Sequence, residues 1–321
     1  MSVPGPVLPS EVDLTTSLAG VSLPNPVLTA SGCAAAGREL DQFFDVADLG
    51  AVVTKSIMLD PRSGRPTPRM AETPSGMLNS IGLQGPGIDG FLASDLPWLL
   101  RRRARPVVSI AGSTLGEYAE LARRLGNTPG VTAVEVNISC PNLENRGLVF
   151  ACDRHQAARV ISAVRRDTPR GVPVLAKLSP DVTNIVDIAE SVVDAGADGL
   201  VMINTLLGIS IDPETMRPVL GGVTGGLSGP AIRPVAVRCV WQVHQAMPDV
   251  PIVGVGGIRT GADALEFMLA GASAVQVGTV IFNDPSAPTR VLEELRVELA
   301  ARSFKAAREA VGFAHRGDVP R

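Results

Sequence analysis

Eight short apolar runs recur along the chain, each followed by polar residues or glycine. They cover residues 26–30, 51–54, 106–111, 133–136, 172–178, 199–203, 251–255 and 274–277. Their length and β-branched content are typical of buried parallel strands. Between several of them the apolar residues keep helical spacing, as at Ile185, Ile188 and Val192. Alternating strands and helices in this number predict an α/β fold of the (β/α)8 TIM-barrel class.

The links between these runs are uneven in length. About fifty residues separate the second run from the third and the sixth from the seventh, and we expect these long insertions to form a lid at the C-terminal face of the barrel. The segment 13–24, with Ala19-Gly20 at its centre, predicts an N-terminal hairpin that closes the opposite end. Residues 1–12 are rich in Pro and predict a flexible N-terminus, which leaves 13–321 as a single barrel domain.

Every predicted strand ends in polar residues or glycine. The residues at or just beyond these ends include Ser31, Lys55, Ser56, Ser109, Asn137, Lys177, Asn204, Thr205, Gly256, Gly257, Gly278 and Thr279. Barrel enzymes carry their catalytic groups at this face, and a barrel interior does not tolerate unpartnered lysines and asparagines. Any one of these residues alone is as well explained by a helix cap or a structural polar group. Together they predict a ligand site.

The glycines indicate where a phosphate would bind. Gly256-Gly257 and Gly278-Thr279 follow the last two strands, where barrels frequently hold phosphate against backbone amides and a helix N-terminus. The Gly225-Gly226-Leu227-Ser228-Gly229-Pro230 segment is a second loop that a ligand could approach closely. Two ordinary glycine turns remain the simpler alternative.

The lysines and asparagines indicate a planar, partly anionic ligand. Lys55 and Lys177 could neutralise a delocalised anion such as a reduced flavin, although Lys177 could instead form a Schiff base. Carboxamide and hydroxyl groups suit a planar imide such as a pyrimidine, because each offers a donor and an acceptor. These groups are Asn79, Asn137, Asn142, Asn204 and Thr205. Taken singly, each asparagine is equally typical of a turn.

Cys140 is the candidate for catalysis, since it lies in the Asn137-Ile138-Ser139-Cys140-Pro141-Asn142 segment directly after a predicted strand. Its thiol could act as base, as nucleophile or in neither role. A Cys140–His155 pair is a weaker alternative. Cys239 lies in an apolar helical pattern and is expected in the core, Cys33 is expected near the pocket, and Cys152 is given no role.

Composition narrows the class of partner. Aromatic residues make up 3% of the 321 residues and the formal charge is −3, which argues against nucleic acid and favours a small-molecule ligand. Four cysteines without CxxC spacing and three histidines predict no metal site. No apolar start or membrane-length run is found, so we expect a reduced, cytoplasmic protein without a membrane anchor. The basic run 101–105 is interpreted as a solvated helix end.

On its motifs the chain resembles the dihydroorotate dehydrogenases. Within them it is most similar to the cytosolic class 1 with a cysteine base, and to the catalytic subunit of the NAD-linked 1B type. The segments that carry the resemblance are 28–33, 54–56, 66–73, 76–84, 137–142, 177–180, 202–208 and 225–231. They extend over nearly the whole chain and as a set are highly specific.

The resemblance implies an FMN-binding barrel that oxidises (S)-dihydroorotate to orotate in de novo pyrimidine (UMP) biosynthesis. It implies FMN contacts from Ser31, Lys55, Ser56, Ser109, Asn137, Lys177, Ile203, Gly229, Gly256, Gly257, Gly278 and Thr279. It implies substrate contacts from Lys55, Asn79, Ser80, Ile81, Gly82, Leu83, Asn137, Asn142, Asn204 and Thr205. Cys140 would take the C5 proton while hydride leaves C6 for flavin N5.

The same resemblance implies a partner. Electrons would pass to NAD through a separate subunit that carries FAD and an iron–sulfur cluster, in a heterotetramer, whereas a homodimer would suit the fumarate-using type. Three positions depart from the family pattern: Ser109 stands where Asn is usual, Gly85 replaces a common Asn, and the loop after Asn142 lacks the usual glycine motifs. Alternatives are a flavin enzyme for another dihydropyrimidine, a flavin-free lyase using Lys177, and a barrel without catalysis.

Overall fold

A computed structural model describes residues 7–138 and 150–317. Its strands are β1 (Thr16–Leu18), β2 (Val21–Leu23), β3 (Val27–Thr29), β4 (Val52–Val53), β5 (Met70–Thr73), β6 (Gly76–Asn79), β7 (Pro106–Ile110), β8 (Ala133–Asn137), β9 (Val174–Leu178), β10 (Gly199–Met202), β11 (Leu206–Gly208), β12 (Ile211–Asp212), β13 (Arg217–Pro218), β14 (Gly225–Ser228), β15 (Ile252–Val255) and β16 (Ala274–Val277). Its helices are α1 (Gly87–Gly90), α2 (Leu96–Arg101), α3 (Leu115–Gly126), α4 (Arg154–Asp167), α5 (Ile185–Asp194), α6 (Arg233–Ala246), α7 (Gly261–Leu269), α8 (Ala287–Ala301) and α9 (Ala307–Ala310).

Eight of these strands form a closed parallel barrel, which confirms the predicted fold class. The sheet runs in the order β3-β16-β15-β10-β9-β8-β7-β4. A parallel bridge between Leu28 and Ala51, beside a 2.8 Å hydrogen bond from Gly50 N to Val27 O, joins the two ends. All eight predicted runs correspond to barrel strands. They read as continuous apolar runs because both faces of each strand are covered, by side chains inside the barrel and by helices outside.

The barrel interior and its outer layer are two separate apolar clusters. Inside, Leu28, Val53, Leu175 and Val253 pack together, and the helices cover a larger cluster around the outside. Side-chain caps fix the starts of α3, α4, α5 and α7. Ahead of α3, for example, the Thr114 hydroxyl accepts from Glu117 N at 3.2 Å. Such caps satisfy amides that a helix cannot pair internally, so each of these four helices begins at a defined residue after its strand.

The predicted N-terminal hairpin is confirmed at the N-terminal end of the barrel. β1 and β2 pair antiparallel around Ala19 and Gly20, which have φ of +48° and +84°, as a two-residue hairpin turn requires. Leu18 and Leu23 are buried against the barrel-interior cluster and cover it at the N-terminal end of the barrel. Ahead of the hairpin, Pro9–Glu11 forms a short 3-10 turn next to α8, and Val12 is buried.

The two long links meet over the C-terminal face, which confirms the predicted lid. β5 and β6 come from the first link, β11 and β14 from the second, and they form one antiparallel sheet in the order β11-β14-β6-β5. β14 pairs with β6 through Leu227 and Leu78. Strands from distant parts of the chain therefore share one sheet above the barrel.

The basic run at 101–105 contains one residue that is not solvated. Arg105 donates to the carbonyl oxygens of Gly50, Ala47 and Leu49 at 2.7–2.8 Å, while Arg102 pairs with Asp41 near the surface. The interpretation of the whole run as a solvated helix end was therefore wrong at Arg105. Its guanidinium satisfies the carbonyls of the turn that leads into β4. In the described residues we find no helix both long and apolar enough to cross a membrane.

Candidate active site

A cavity of about 530 Å³ lies between the carboxyl ends of the barrel strands and the lid. Ten of the residues predicted for cofactor or substrate line it. They are Ser31, Lys177, Ile203, Asn204, Thr205, Gly229, Gly256, Gly257, Gly278 and Thr279. They come from six separate stretches of sequence, and the parallel strands bring them to one face because all the strands end there.

Beside the cavity a chain of hydroxyl and carboxamide groups links the other predicted polar residues. The Ser56 hydroxyl lies 3.0 Å from that of Ser109 and 3.4 Å from that of Ser31. Asn137 Nδ2 donates to Ser56 Oγ at 3.0 Å, and Asn204 Nδ2 donates to Asn137 Oδ1 at 3.3 Å. The two carboxamides are therefore held in fixed orientations, by the buried Ser56 hydroxyl and by each other. Ser109 takes part in this chain through its short side chain.

A buried ionic group lies at the cavity floor and was missed in the sequence. Lys177 Nζ donates to Glu135 Oε1 at 3.4 Å, and Gln276 Nε2 donates to Glu135 Oε2 at 2.8 Å. The side chains of Lys177 and Glu135 are 5% and 0% exposed. Gln276 Oε1 is buried and has no hydrogen-bond partner among the described residues. The sequence does contain a signal for this group, because Glu135 in β8 and Gln276 in β16 are polar residues inside otherwise apolar strands.

The backbone packs closely at the glycine loops, where a side chain would clash with neighbouring protein atoms. Gly257 has φ of +74°, and a Cβ there would lie 2.7 Å from Gly229 O. Within the described residues, the backbone amides of Gly257 and Gly278 donate no hydrogen bond. α7 begins nearby at Gly261, with Thr260 as its N-cap. Free amides beside a helix N-terminus suit an anion, so the predicted phosphate loop is consistent with this geometry.

The segment Asn79, Ser80, Ile81, Gly82 and Leu83 does not line the cavity. Asn79 Nδ2 donates to Gly226 O at 3.3 Å, and Ser80 Oγ accepts from Arg65 at 3.0 Å, so both side chains bind within the lid. The cavity wall on this side is the 72–77 turn between β5 and β6, together with Ser228 and Arg259. Residues 72, 73, 76 and 77 belong to segments that carry the family resemblance, but that resemblance implied ligand contacts only from residue 79 onward.

Two remaining predicted residues lie outside the described ranges, namely Cys140 and Asn142. Lys55, the other predicted cation, lies close to the cavity, since its Nζ would be 3.5 Å from a Cβ placed on Gly32. His155 lies in the first turn of α4, where its backbone amide donates to the side chain of Asp153, the N-cap residue of the helix. Among residues 7–138 and 150–317, no group of three or more His, Cys, Asp or Glu is placed to hold a metal ion.

Cys33 lines the cavity as a neutral thiol. Burial raises the pKa of its thiol to about 11, against the opposing effect of the Lys177 and Lys55 ammonium groups. At pH 8 its thiolate fraction is therefore about a hundredfold below that of an ordinary cysteine. We expect iodoacetamide at pH 8 to label exposed Cys152 first and Cys33 far more slowly, with Cys33 labelling accelerating towards pH 11.

Peptide mass mapping of each cysteine over time would measure this difference, with urea-unfolded protein as the control in which both thiols react. Equal labelling of Cys33 and Cys152 in the native protein at pH 8 would contradict the assignment of a buried neutral thiol.

Comparison with known proteins identifies the family. The family model described as dihydroorotate dehydrogenase matches residues 13–299. The chain belongs to the dihydroorotate dehydrogenase family. Its membership confirms the resemblance seen in the motifs and makes the protein an oxidoreductase of that family.

Several relatives in this family are similar over nearly their whole length. Proteins named dihydroorotate dehydrogenase B (NAD(+)), catalytic subunit, are 50% identical in Geotalea uraniireducens, over 94% of this chain and 97% of the relative, and 51% identical in Pelobacter propionicus, over 94% and 98%. A solved dihydroorotate dehydrogenase of Eimeria tenella, in complex with ferulenol, superposes with a TM-score of 0.79 at 26% identity, over 95% of this chain and 89% of that one. The dihydroorotate dehydrogenase barrel is thus shared even where sequence identity is low.

Proposed function

We propose that this chain oxidises (S)-dihydroorotate to orotate with FMN as first electron acceptor, as the catalytic subunit of an NAD-linked enzyme of pyrimidine biosynthesis. The observation that carries the proposal is the cavity itself, where cationic, carboxamide and glycine-loop residues of the predicted set converge. Such a set suits a planar, phosphorylated, partly anionic cofactor next to a small imide. Resemblance to the cytosolic class favours a cytoplasmic location.

The residues present fit FMN on three separate grounds. The Gly256-Gly257 and Gly278-Thr279 loops line the cavity, and the amides of Gly257 and Gly278 are available to a phosphate. Lys177 supplies a buried cation at the cavity floor. Gln276 Oε1 is a buried acceptor that still needs a donor. Ser31, Ile203 and Gly229 complete the wall.

Different side chains of this protein bind the substrate and remove its proton. FMN, when bound, supplies the acceptor for the hydride that leaves C6 of dihydroorotate. The Cys140 thiolate takes the C5 proton, and the electron pair of that C–H bond forms the C5–C6 double bond of orotate. Asn137 and Asn204 hold the pyrimidine through carboxamides whose orientation is fixed by the Ser56 hydroxyl and by each other. Fixed donors and acceptors orient the substrate without reorganisation during the reaction.

The lyase alternative is disfavoured by the surroundings of Lys177. A Schiff base requires a neutral amine, and Lys177 is instead paired with the fully buried carboxylate of Glu135 at 3.4 Å. Lys177 is therefore better suited to bind an anionic group than to attack a carbonyl.

The proposal is tested by purifying the chain and adding FMN. We expect a yellow protein whose flavin spectrum shifts when orotate is titrated in and bleaches anaerobically on addition of dihydroorotate. Uracil, which lacks the carboxylate, serves as the matched control and should cause no comparable shift. A chain that remains colourless after FMN addition would overturn the proposal, and a flavin insensitive to orotate but reduced by another dihydropyrimidine would point to the alternative substrate.

The acceptor is proposed to be NAD, reached through a separate subunit with FAD and an iron–sulfur cluster. Co-expression with such a subunit should give a heterotetramer that reduces NAD, while this chain alone should not. Efficient fumarate reduction by an isolated homodimer would instead place the chain with the fumarate-using type.

A further inference from the structure

Glu135 lies beneath the cavity without lining it, yet it holds two residues that do. It extends inward from β8, and its side chain is 0% exposed. One carboxylate oxygen accepts from Lys177 Nζ at 3.4 Å and the other accepts from Gln276 Nε2 at 2.8 Å. Both of these donors belong to residues of the cavity wall.

The carboxylate determines which end of the Gln276 amide faces away from it. An ionised carboxylate only accepts hydrogen bonds, so it selects the NH2 group of the glutamine and directs the carbonyl elsewhere. That carbonyl, Gln276 Oε1, is buried without a partner in the described part of the chain. Leaving a buried acceptor unpaired is unfavourable, and this unpaired oxygen in a wall residue points to a donor supplied by a ligand.

The same carboxylate also holds Lys177. Lys177 Nζ lies 3.4 Å from Glu135 Oε1, and both side chains are buried. A buried ion pair that loses one partner leaves the other charge uncompensated. Glu135 therefore fixes the position of the Lys177 amino group at the cavity floor.

We propose that Glu135 and Gln276 are positioning residues for the cofactor. Glu135 fixes the Lys177 amino group at the cavity floor and sets the Gln276 carboxamide with its oxygen available to a donor on the flavin. Gln276 in turn pairs the second carboxylate oxygen of Glu135. This inference rests on the proposed FMN site and adds two residues to it.

The test measures the FMN dissociation constant by quenching of flavin fluorescence, together with the absorption spectrum of the bound flavin. In Glu135→Gln, an isosteric change, Lys177 loses its ionic partner and the Gln276 amide loses the group that selects its NH2 end. The dissociation constant should increase at least about tenfold, and the spectrum of the bound flavin should shift. Gln276→Met should weaken FMN binding about five- to tenfold, as expected for one lost hydrogen bond.

Gln242→Met provides the matched control, because Gln242 is an exposed glutamine on α6 that contacts Arg238. It should reproduce the FMN affinity and the flavin spectrum of the unsubstituted protein. Unchanged FMN affinity and an unchanged flavin spectrum in both Glu135→Gln and Gln276→Met would overturn the inference while leaving the proposed function intact. An unsubstituted protein that binds no FMN would overturn both. If Glu135→Gln fails to fold, as judged by circular dichroism, the FMN affinity of Gln276→Met alone tests the inference.

Discussion

Replacing Cys140 with alanine is expected to slow reduction of bound FMN by dihydroorotate about 10²- to 10⁴-fold, the range contributed by a positioned general base. The thiolate is proposed to remove the C5 proton, and alanine offers no basic atom. The binding groups at Asn137 and Asn204 are unchanged by this substitution, so orotate affinity should be largely retained. Anaerobic stopped-flow measurement of flavin bleaching isolates this step from reoxidation.

Cys140→Ser is a second test of the base, because serine keeps a hydroxyl group whose pKa is much higher than that of a thiol. Its reduction rate should be slow at neutral pH and rise at higher pH, whereas the alanine variant should lack this rise. Cys152→Ser, a change at an exposed cysteine, is the control and should leave the rate unaltered. A Cys140→Ala protein with the unsubstituted rate would remove Cys140 from the mechanism.

Lys177→Met is expected to lower the free energy of unfolding of the FMN-free protein by about 3–5 kcal/mol, because it leaves the buried Glu135 carboxylate without its cation. The side chain of Glu135 is 0% exposed and its remaining donor is Gln276 Nε2. FMN binding should be lost as well, since the cavity floor loses its cation. Urea unfolding followed by the fluorescence of Trp98 and Trp241 measures the change in stability.

A double variant separates loss of the ion pair from loss of packing. Lys177→Met combined with Glu135→Leu replaces both charges by apolar groups of similar size, and such replacements are often neutral or stabilising. We expect it to recover most of the stability lost in Lys177→Met while still failing to bind FMN. Lys305→Met, at an exposed lysine, should change stability little. A double variant as unstable as the single one would show that the buried charge is not the cause.

Periodicity alone predicted the fold because each barrel strand is buried on both faces. β7 and β9, for example, are buried at every position and are apolar apart from Ser109 and Lys177 near their carboxyl ends. The polar residues at the strand ends were predictable for the same reason, since a polar side chain in or next to a buried strand requires a partner or a ligand. Ser31, Lys177, Asn204 and Gly256 all line one cavity, as their positions after predicted strands implied.

The lid was harder to predict, because its strands pair across the sequence. β6 and β14 lie in different insertions, and nothing local in either shows that Leu78 meets Leu227. The segment Asn79–Leu83 is the one for which the family resemblance implied substrate contacts, yet the neighbouring residues 72–77 are the ones that line the cavity. Arg105 likewise belongs to a basic run by sequence, and only the fold brings it against the carbonyls of residues 47, 49 and 50.

The sequence by itself determined the barrel, its hairpin and the set of polar strand ends, since these depend on the alternation of apolar strands with helices and on which residues follow each strand. Only the tertiary structure decided the partners of the buried charges. Glu135, Lys177 and Gln276 lie on β8, β9 and β16, and their contact depends on barrel closure and strand register. Distances between side chains on separate strands are set by the packing of the whole barrel, which no local pattern encodes.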